Sequence, residues 1–182
     1  MQVSYSHLLK TWFSAPVNRH WFSSTTEIDA QLKQQFEALW QQGSNALLDD
    51  WKQNAEGCLA LVILLDQIPL NIFRNQAKSF STEQQAVAIT RHAIQQQFDQ
   101  QIDNDRLAFL YMPLMHSENL DDQNLAVNCF DKASLEHNLR FAHHHRDLVK
   151  RFGRFPHRNA ILGRESTADE IKYLNSDKAF KG

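Results

Sequence analysis

The chain has 182 residues, enough for one domain with a substantial core and too few for two comfortable ones, so we expect a single domain over residues 1–182. With 42% hydrophobic and 22% charged residues, the composition is that of a folded globular protein. Five glycines and four prolines supply little material for the turns of an all-β fold, and a net charge of −2 argues against nucleic-acid binding over the whole surface.

Apolar residues recur at helical spacing along the chain. Ile28, Leu32, Phe36 and Trp40 stack on one helix face, and no segment shows the strict alternation of a half-buried strand. The sequence therefore predicts an all-α fold. We predict helices at residues 4–13, 26–42, 56–68, 82–98, 104–114, 120–135, 135–152, 157–162 and 167–176.

Three features refine this pattern. The helix that contains Leu59–Leu65 is apolar all round, which predicts a central, buried position, and Pro69 is expected to end or kink it. Its most apolar run is about eight residues, far below the ~20 that span a bilayer. Capping pairs are predicted at the starts of three helices: Ser24 with Glu27, Thr82 with Gln85, and Thr167 with Glu170.

Polar residues follow the buried run at Asp66. The segment Leu65–Arg74 places this carboxyl at the edge of the core, where it needs a partner. One interpretation is an Asp–Arg or Asp–backbone bond that holds a helix break together. The other is that Asp66 belongs to a ligand or catalytic site, with Arg74 assisting.

A second polar segment, Met115–Asn119, closes a predicted helix. His116 and Glu118 are residue types that carry general acid–base chemistry or hold a metal. They can equally satisfy the last carbonyl groups of one helix and the first amides of the next.

The third segment is strongly basic. Residues 150–164 include five formally positive side chains and no acid, and Pro156 suits a helix start. His157, Arg158 and Asn159 would then stand at a helix N-terminus, where amides and arginines favour a carboxylate or phosphate. The alternative is that the arginines pair internally with Asp66, Glu118 or Glu170.

Metal and cofactor signatures are weak. His137, His143, His144 and His145 lie on one predicted helix, and three consecutive histidines point in three directions, so we expect no metal site there. Cys58 and Cys129 sit in apolar helical patterns, which indicates reduced, buried thiols. We expect no cofactor, because no Gly-rich phosphate loop or nucleophile signature is present.

Five segments in this order resemble the bacterial "domain of unknown function 924" family, and the resemblance covers nearly the whole chain. They are Trp12-Phe13, Trp21-Phe22, Leu64-Leu65-Asp66-Gln67-x-Pro69-x-Asn71-x-Phe73-Arg74, Tyr111-Met112-Pro113-x-x-His116-Ser117-Glu118 and Arg151-Phe152-Gly153-Arg154-Phe155-Pro156-His157-Arg158-Asn159.

This resemblance implies a tetratricopeptide-like array of stacked helical hairpins, with about eight or nine helices. It implies no activity. The sequence departs from the usual family pattern at Ile68, where an aromatic residue is common, and at Leu70, where a basic residue is common. The Leu70 change removes one cation from the proposed anion site.

Two functions follow from these segments. In the first, the chain binds a small anionic ligand and is either a binding protein or an enzyme. The acid–base candidates are His116, His157, Glu118 and Asp66, and the ligand-binding candidates are Arg74, Arg154, Arg158, Asn159 and Arg164. In the second, a helical-repeat surface binds a peptide or protein partner without catalysis. We expect a cytoplasmic protein with no signal peptide, no membrane association and no nucleic-acid partner.

Overall fold

The computed structural model describes residues 4–180. Residues 1–3, which belong to the N-terminal stretch in which no signal peptide is predicted, lie outside the described residues. Within 4–180 the secondary structure is helical and contains no strand. The helices are α1 (Tyr5–Trp12), α2 (Thr26–Ser44), α3 (Ala55–Ile72), α4 (Glu83–Gln95), α5 (Asn104–His116), α6 (Leu120–Lys132), α7 (Glu136–Phe152) and α8 (Ala168–Leu174). Short 3-10 turns stand between them, among them Ala77–Phe80 before α4 and Pro156–Arg158 after α7.

The predicted all-α fold is confirmed, and most helix bounds agree within a few residues. The predicted helix at 157–162 is wrong, because this segment is one 3-10 turn followed by further turns. Gly163 takes a left-handed φ of 63°, and the Arg164 amide donates back to the Asn159 carbonyl at 2.8 Å. This bond closes the chain after a single turn, as at a helix C-terminus.

Helix α3 is the centre of the packing. Helices α1, α2 and α4 pack on it, and α4–α5, α5–α6 and α6–α7 then pack in succession, as antiparallel neighbours joined by short loops do. By length and composition alone α3 could cross a membrane, with a mean hydropathy of 1.5. However, 89% of it is buried inside the protein, which confirms the prediction of a central core helix.

Of the two outcomes predicted for Pro69, an end or a kink of α3, the end does not occur. Proline has no N–H to donate to Leu65, the residue four positions earlier. The helix widens into a π turn at Ile63–Gln67, and the Thr82 hydroxyl donates to the Leu65 carbonyl at 2.6 Å instead. Because a residue distant in sequence satisfies this carbonyl, α3 continues to Ile72.

Two of the three predicted capping pairs are wrong. Thr25 rather than Ser24 caps α2, with its side chain accepting from the Ile28 amide. Thr82 precedes α4 but makes no side-chain cap, because its hydroxyl is committed to Leu65. The Thr167–Glu170 capping box at α8 is confirmed, with both reciprocal bonds present.

We predict that Thr82→Val destabilises the protein by about 1–3 kcal/mol, because the change leaves the buried Leu65 carbonyl without its donor. It also removes the acceptor of the Trp40 indole N–H, which lies 3.2 Å from the Thr82 hydroxyl. Urea unfolding measures the effect. The control is Ser81→Ala, which deletes an exposed hydroxyl bonded to the Lys78 carbonyl and should change stability by less than about 0.5 kcal/mol. Equal effects of the two variants would contradict the account of α3.

Candidate functional site

The three polar segments singled out from the sequence meet in space. Asp66 lies on the π turn of α3, His116 is the last residue of α5, and Arg158 lies on the 3-10 turn after α7. Arg158 Nη2 donates to the His116 carbonyl at 2.8 Å, and all three residues line one cavity. Residues 50 and 42 positions apart in the chain are thus brought together by the packing of α3, α5 and the C-terminal segment.

Asp66 and His116 form a hydrogen-bonded pair. The imidazole Nδ1 lies 2.9 Å and 3.0 Å from the two carboxylate oxygens of Asp66, and the Gln67 side-chain amide donates to the same carboxylate. Since an ionised carboxylate only accepts, the hydrogen is on Nδ1. Nε2 has no hydrogen-bond partner among residues 4–180. The predicted Asp66–arginine or Asp66–backbone bond is therefore wrong, and the partner is a histidine.

The surroundings of His116 favour its protonated form. Burial by itself lowers the pKa of His116, and the positive charge of Arg158 acts in the same direction. The charge and hydrogen bond of Asp66, helped by the charge of Glu83, outweigh both effects and raise the pKa above its ordinary 6.5. His116 therefore carries a proton over a wider pH range than a solvent-exposed histidine does.

Glu83 is the member of this cluster that sequence analysis missed. It begins α4, and its carboxylate accepts from Arg158 Nη1 at 2.8 Å across 75 positions of sequence. Burial, with the nearby charge of Asp66, raises the pKa of Glu83 against the opposing charge of Arg158. In the sequence Glu83 is an ordinary first-turn acid of a helix, so only the fold reveals its partner.

Arg158 is packed as tightly as a core residue. Only 6% of its surface is exposed, and its guanidinium lies between the rings of Phe80 and Phe155, 4.5 Å and 4.7 Å from their centroids. Such stacking suits guanidinium, which is planar and weakly hydrated. Its charge is balanced inside the protein by Glu83.

Arg164 is a further candidate arginine that binds an internal carboxylate. Arg164 makes a bidentate pair with Glu118 at 2.6 Å and 2.9 Å, and Glu118 accepts in addition from the Phe155 amide at 2.8 Å. Burial opposes ionisation of Glu118, but these bonds outweigh it and lower its pKa. Glu118 thus anchors the basic segment, and the residue that caps α6 is Asn119 rather than His116 or Glu118.

Arg154 and Arg74 are paired as well. Arg154 binds Glu170 at 2.7 Å and 2.9 Å, and Arg74 binds Asp29 on α2 at 2.8 Å and 3.2 Å. Internal pairing, the alternative raised from the sequence for residues 150–164, thus describes Arg154 with Glu170 and Arg164 with Glu118. Arg158 and Arg74 are also paired, but with Glu83 and Asp29, which the sequence analysis did not name as partners. Binding of a ligand by these four arginines stays a prediction, since it requires each guanidinium to leave its carboxylate.

The remaining candidates, His157 and Asn159, are largely buried beside Arg158. Burial, followed by the charge of Arg158, lowers the pKa of His157 to about 4, and its Nδ1 is buried without a partner in the described part of the chain. Asn159 donates to the Ser166 hydroxyl at 3.0 Å. The expected position of these residues at a helix N-terminus is wrong, because the segment is a short 3-10 turn.

Within the described chain no group of three or more His, Cys, Asp or Glu residues is arranged to hold a metal ion. His145 is buried, and its Nδ1 donates to the Phe141 carbonyl at 2.8 Å. Burial lowers the pKa of His145 to about 3, so the ring is neutral at physiological pH. His137, His143 and His144 are exposed on α7.

The cavity between the segments has a volume of about 10 Å³, which is room for about one water molecule. Four charged or titratable side chains and four others form its wall: Asp66, Glu83, His116, Arg158, Leu65, Leu70, Ser79 and Phe80. Asp66 and Glu83 balance His116 and Arg158 when all four are ionised. The arrangement can bind one small polar group and exchange a proton with it through His116.

We predict that Glu170→Gln lowers stability at pH 7 by about 2 kcal/mol through loss of charge-assisted bonds to Arg154 and Thr167. The Arg154 bond, followed by the Thr167 amide, holds the pKa of Glu170 at about 2 against burial. A carboxyl with a lowered native pKa stabilises the fold above its unfolded pKa, near 4.5, and loses this contribution as pH falls towards 2.

The difference between wild type and Glu170→Gln should therefore shrink between pH 5 and pH 3, as measured by urea unfolding at each pH. Glu165→Gln, at a nearby exposed acid, is the matched control and should have little effect. A difference that stays constant with pH would contradict the assigned role of the carboxylate.

Comparison with known proteins places the chain among uncharacterised bacterial proteins. Residues 8–178 match the family described as "Bacterial protein of unknown function (DUF924)". The chain is similar to a solved structure of a protein of unknown function, ATU0120, from Agrobacterium tumefaciens. The two share 34% identity with a TM-score of 0.87, and the match covers 94% of this chain and 96% of that one. A search of curated proteins finds no match. The helical fold, the ordered motifs and this similarity together show that the chain belongs to the DUF924 family of bacterial proteins.

Proposed function

We propose that the chain binds a small ligand at the cavity between α3, α4 and α5, and that His116 exchanges a proton with it. The observation that carries this proposal is the Asp66–His116 pair. One nitrogen of the imidazole is bonded to a buried carboxylate, while the other has no partner among the described side chains.

The pair has the properties that acid–base catalysis requires. The carboxylate fixes the ring orientation and the tautomer, and by raising the pKa of His116 it favours the protonated ring, which can act as an acid. Asp66 is 4% exposed and cannot reorient freely. The chain is therefore proposed to be an enzyme, with His116 as the acid–base group and Asp66 as its orienting residue.

A carboxylate- or phosphate-bearing ligand remains the class that we favour. The positive charges of Arg74, Arg154, Arg158 and Arg164 are paired with carboxylates, and that of protonated His116 is paired with Asp66. His116 keeps its Nε2 without a partner among the described residues, so the ligand is proposed to bind to this nitrogen, with its negative charge outside the cavity. A cytoplasmic location is part of the same proposal, supported by two free, buried cysteines that suit a reducing compartment.

We predict that one class of small anion raises the melting temperature and that His116→Asn abolishes this shift. The panel contains phosphate, pyrophosphate, nucleotides, dicarboxylates and sugar phosphates. A ligand at about 100 times its Kd stabilises the native state by roughly 2.7 kcal/mol. For a chain of this size the melting temperature should rise by about 5–10 °C.

His143→Asn is the matched control, because His143 is exposed on α7 away from the cavity and should leave the shift intact. The proposal fails if no compound gives a shift, or if His116→Asn retains it.

A second candidate function is a non-catalytic interaction module. It is favoured by a larger groove of about 260 Å³ between α2, α3 and α4, with a floor that includes Leu61, Leu65 and Ile89. Leu47, which follows groove residue Ala46 in the chain, is 71% exposed. Two results together would favour this alternative. No anion in the panel would raise the melting temperature, and Ala88→Arg would abolish the binding of a peptide that the wild-type groove binds.

A further inference from the structure

Three side chains around the cavity each keep a polar atom without a hydrogen-bond partner. Within residues 4–180, the His116 ring is bonded to Asp66 through Nδ1 alone, and the Glu83 carboxylate is bonded to Arg158 through Oε2 alone. His116 Nε2 and Glu83 Oε1 thus remain unpaired, and the Nε of Arg158 is fully buried and unpaired. A buried polar atom without a partner is rare in folded proteins, so the Arg158 nitrogen, together with the two unpaired atoms beside it, indicates a missing partner.

The size of the cavity limits this partner to a single atom. A volume of about 10 Å³ accommodates one oxygen, and a bound water needs two to four polar neighbours. Leu65, Leu70 and Phe80 form the apolar part of the wall and leave no room for a larger polar group. Both conditions for a single ordered oxygen are therefore met.

We propose that this cavity is a site for one oxygen atom that joins His116 to Glu83. The oxygen belongs to a water in the free protein and to a hydroxyl group of the ligand in the complex. This inference rests on the proposed function of the site, and it specifies which chemical group of the ligand enters.

The charges around the cavity select a hydroxyl group. Protonated His116 donates through Nε2, and the ionised carboxylate of Glu83 accepts, so the bridging oxygen must both accept and donate a hydrogen bond. A hydroxyl oxygen or a water does this, whereas a carboxylate oxygen has no hydrogen and would face the negative Glu83.

The groups that face His116 come from four elements. Asp66 is on α3, and Glu83 is on α4. Arg158 and His157 are on the 3-10 turn at Pro156–Arg158, and His145 is on α7. His145 and His157 are neutral near pH 7, so the charges of the other groups balance to zero with protonated His116. A neutral hydroxyl fits this balance, and the anionic part of the ligand then lies outside the cavity.

The first test is a crystal structure of the free wild-type protein at about 1.5 Å resolution. We expect one ordered water within about 2.6–3.2 Å of both His116 Nε2 and Glu83 Oε1. A dry cavity, or a direct contact between these two atoms, overturns the inference. This test needs no ligand and no variant.

The second test compares acids that differ by one hydroxyl group: glycolate against acetate, and lactate against propionate, by titration calorimetry. Each pair keeps the carboxylate and changes only the group proposed to enter the cavity. We expect the hydroxy acid to bind about tenfold more tightly, because its hydroxyl replaces both hydrogen bonds of the ordered water and releases that water, whereas acetate and propionate leave the water in place. Equal affinities overturn the inference but leave the proposed function standing.

Glu83→Gln keeps the shape of the side chain and replaces the charged acceptor by a weaker, neutral one. The preference for the hydroxy acid should fall to below about threefold in this variant. Glu136→Gln, which removes the same charge from the exposed first turn of α7, should keep the preference. A full preference in Glu83→Gln contradicts the role of Glu83. If none of the four acids binds, the result counts against the proposed anionic ligand. The one-oxygen site is then decided by whether the crystal structure contains the ordered water.

Discussion

The buried guanidinium of Arg158 is the interaction on which the geometry of the site depends. A charge in the interior is tolerated only when it is paired and hydrogen-bonded, and Arg158 meets this condition with Glu83 and the His116 carbonyl. These two bonds tie the segment after α7 to the start of α4 and the end of α5. Phe80 and Phe155 pack against the guanidinium, with their ring centroids 4.5 Å and 4.7 Å from it.

The start of α4 links this cluster to the break in α3. Thr82 and Glu83 are neighbours, and each provides a hydrogen-bond or charge partner for a buried group that is distant in the chain. Thr82 donates to the Leu65 carbonyl that Pro69 leaves without a partner, and Glu83 neutralises Arg158. The π turn, which precedes Pro69, contains Asp66 and so places a carboxylate on an otherwise apolar, buried helix. Widened helical turns of this kind are frequent at functional sites.

The arginines of residues 150–164 are structural anchors in the free protein. Arg154 binds α8 through Glu170, and Arg164 binds the α5–α6 corner through Glu118. A short C-terminal segment with a small apolar core of its own gains its fixed position from such pairs. Arginine does not lose its proton in proteins, so His116 is the basic side chain at the cavity that can exchange one, and this explains why the proposed chemistry centres on proton exchange.

The sequence by itself determined the features that depend on neighbours in the chain. Helical periodicity, the all-apolar stretch at Leu59–Leu65 and the Thr167–Glu170 capping box are set within one or two turns, and the structure has them as predicted. A local pattern failed where a distant residue competed: Thr82 has the sequence position of a capping residue, but its hydroxyl donates to the Leu65 carbonyl instead. For Pro69 the sequence left an end or a kink of the helix open, and only the structure shows that the helix continues.

Only the tertiary structure decided which polar residues are partners. The three segments were recognisable as polar, but Asp66 meets His116 across 50 positions and Glu83 meets Arg158 across 75. Glu83 has no signal in the sequence, because an acid in the first turn of a helix is favoured by the helix dipole whether or not it has a partner. Pairing of buried charges is set by which helix faces pack together, and helical periodicity gives the buried face of each helix without saying which other helix covers it.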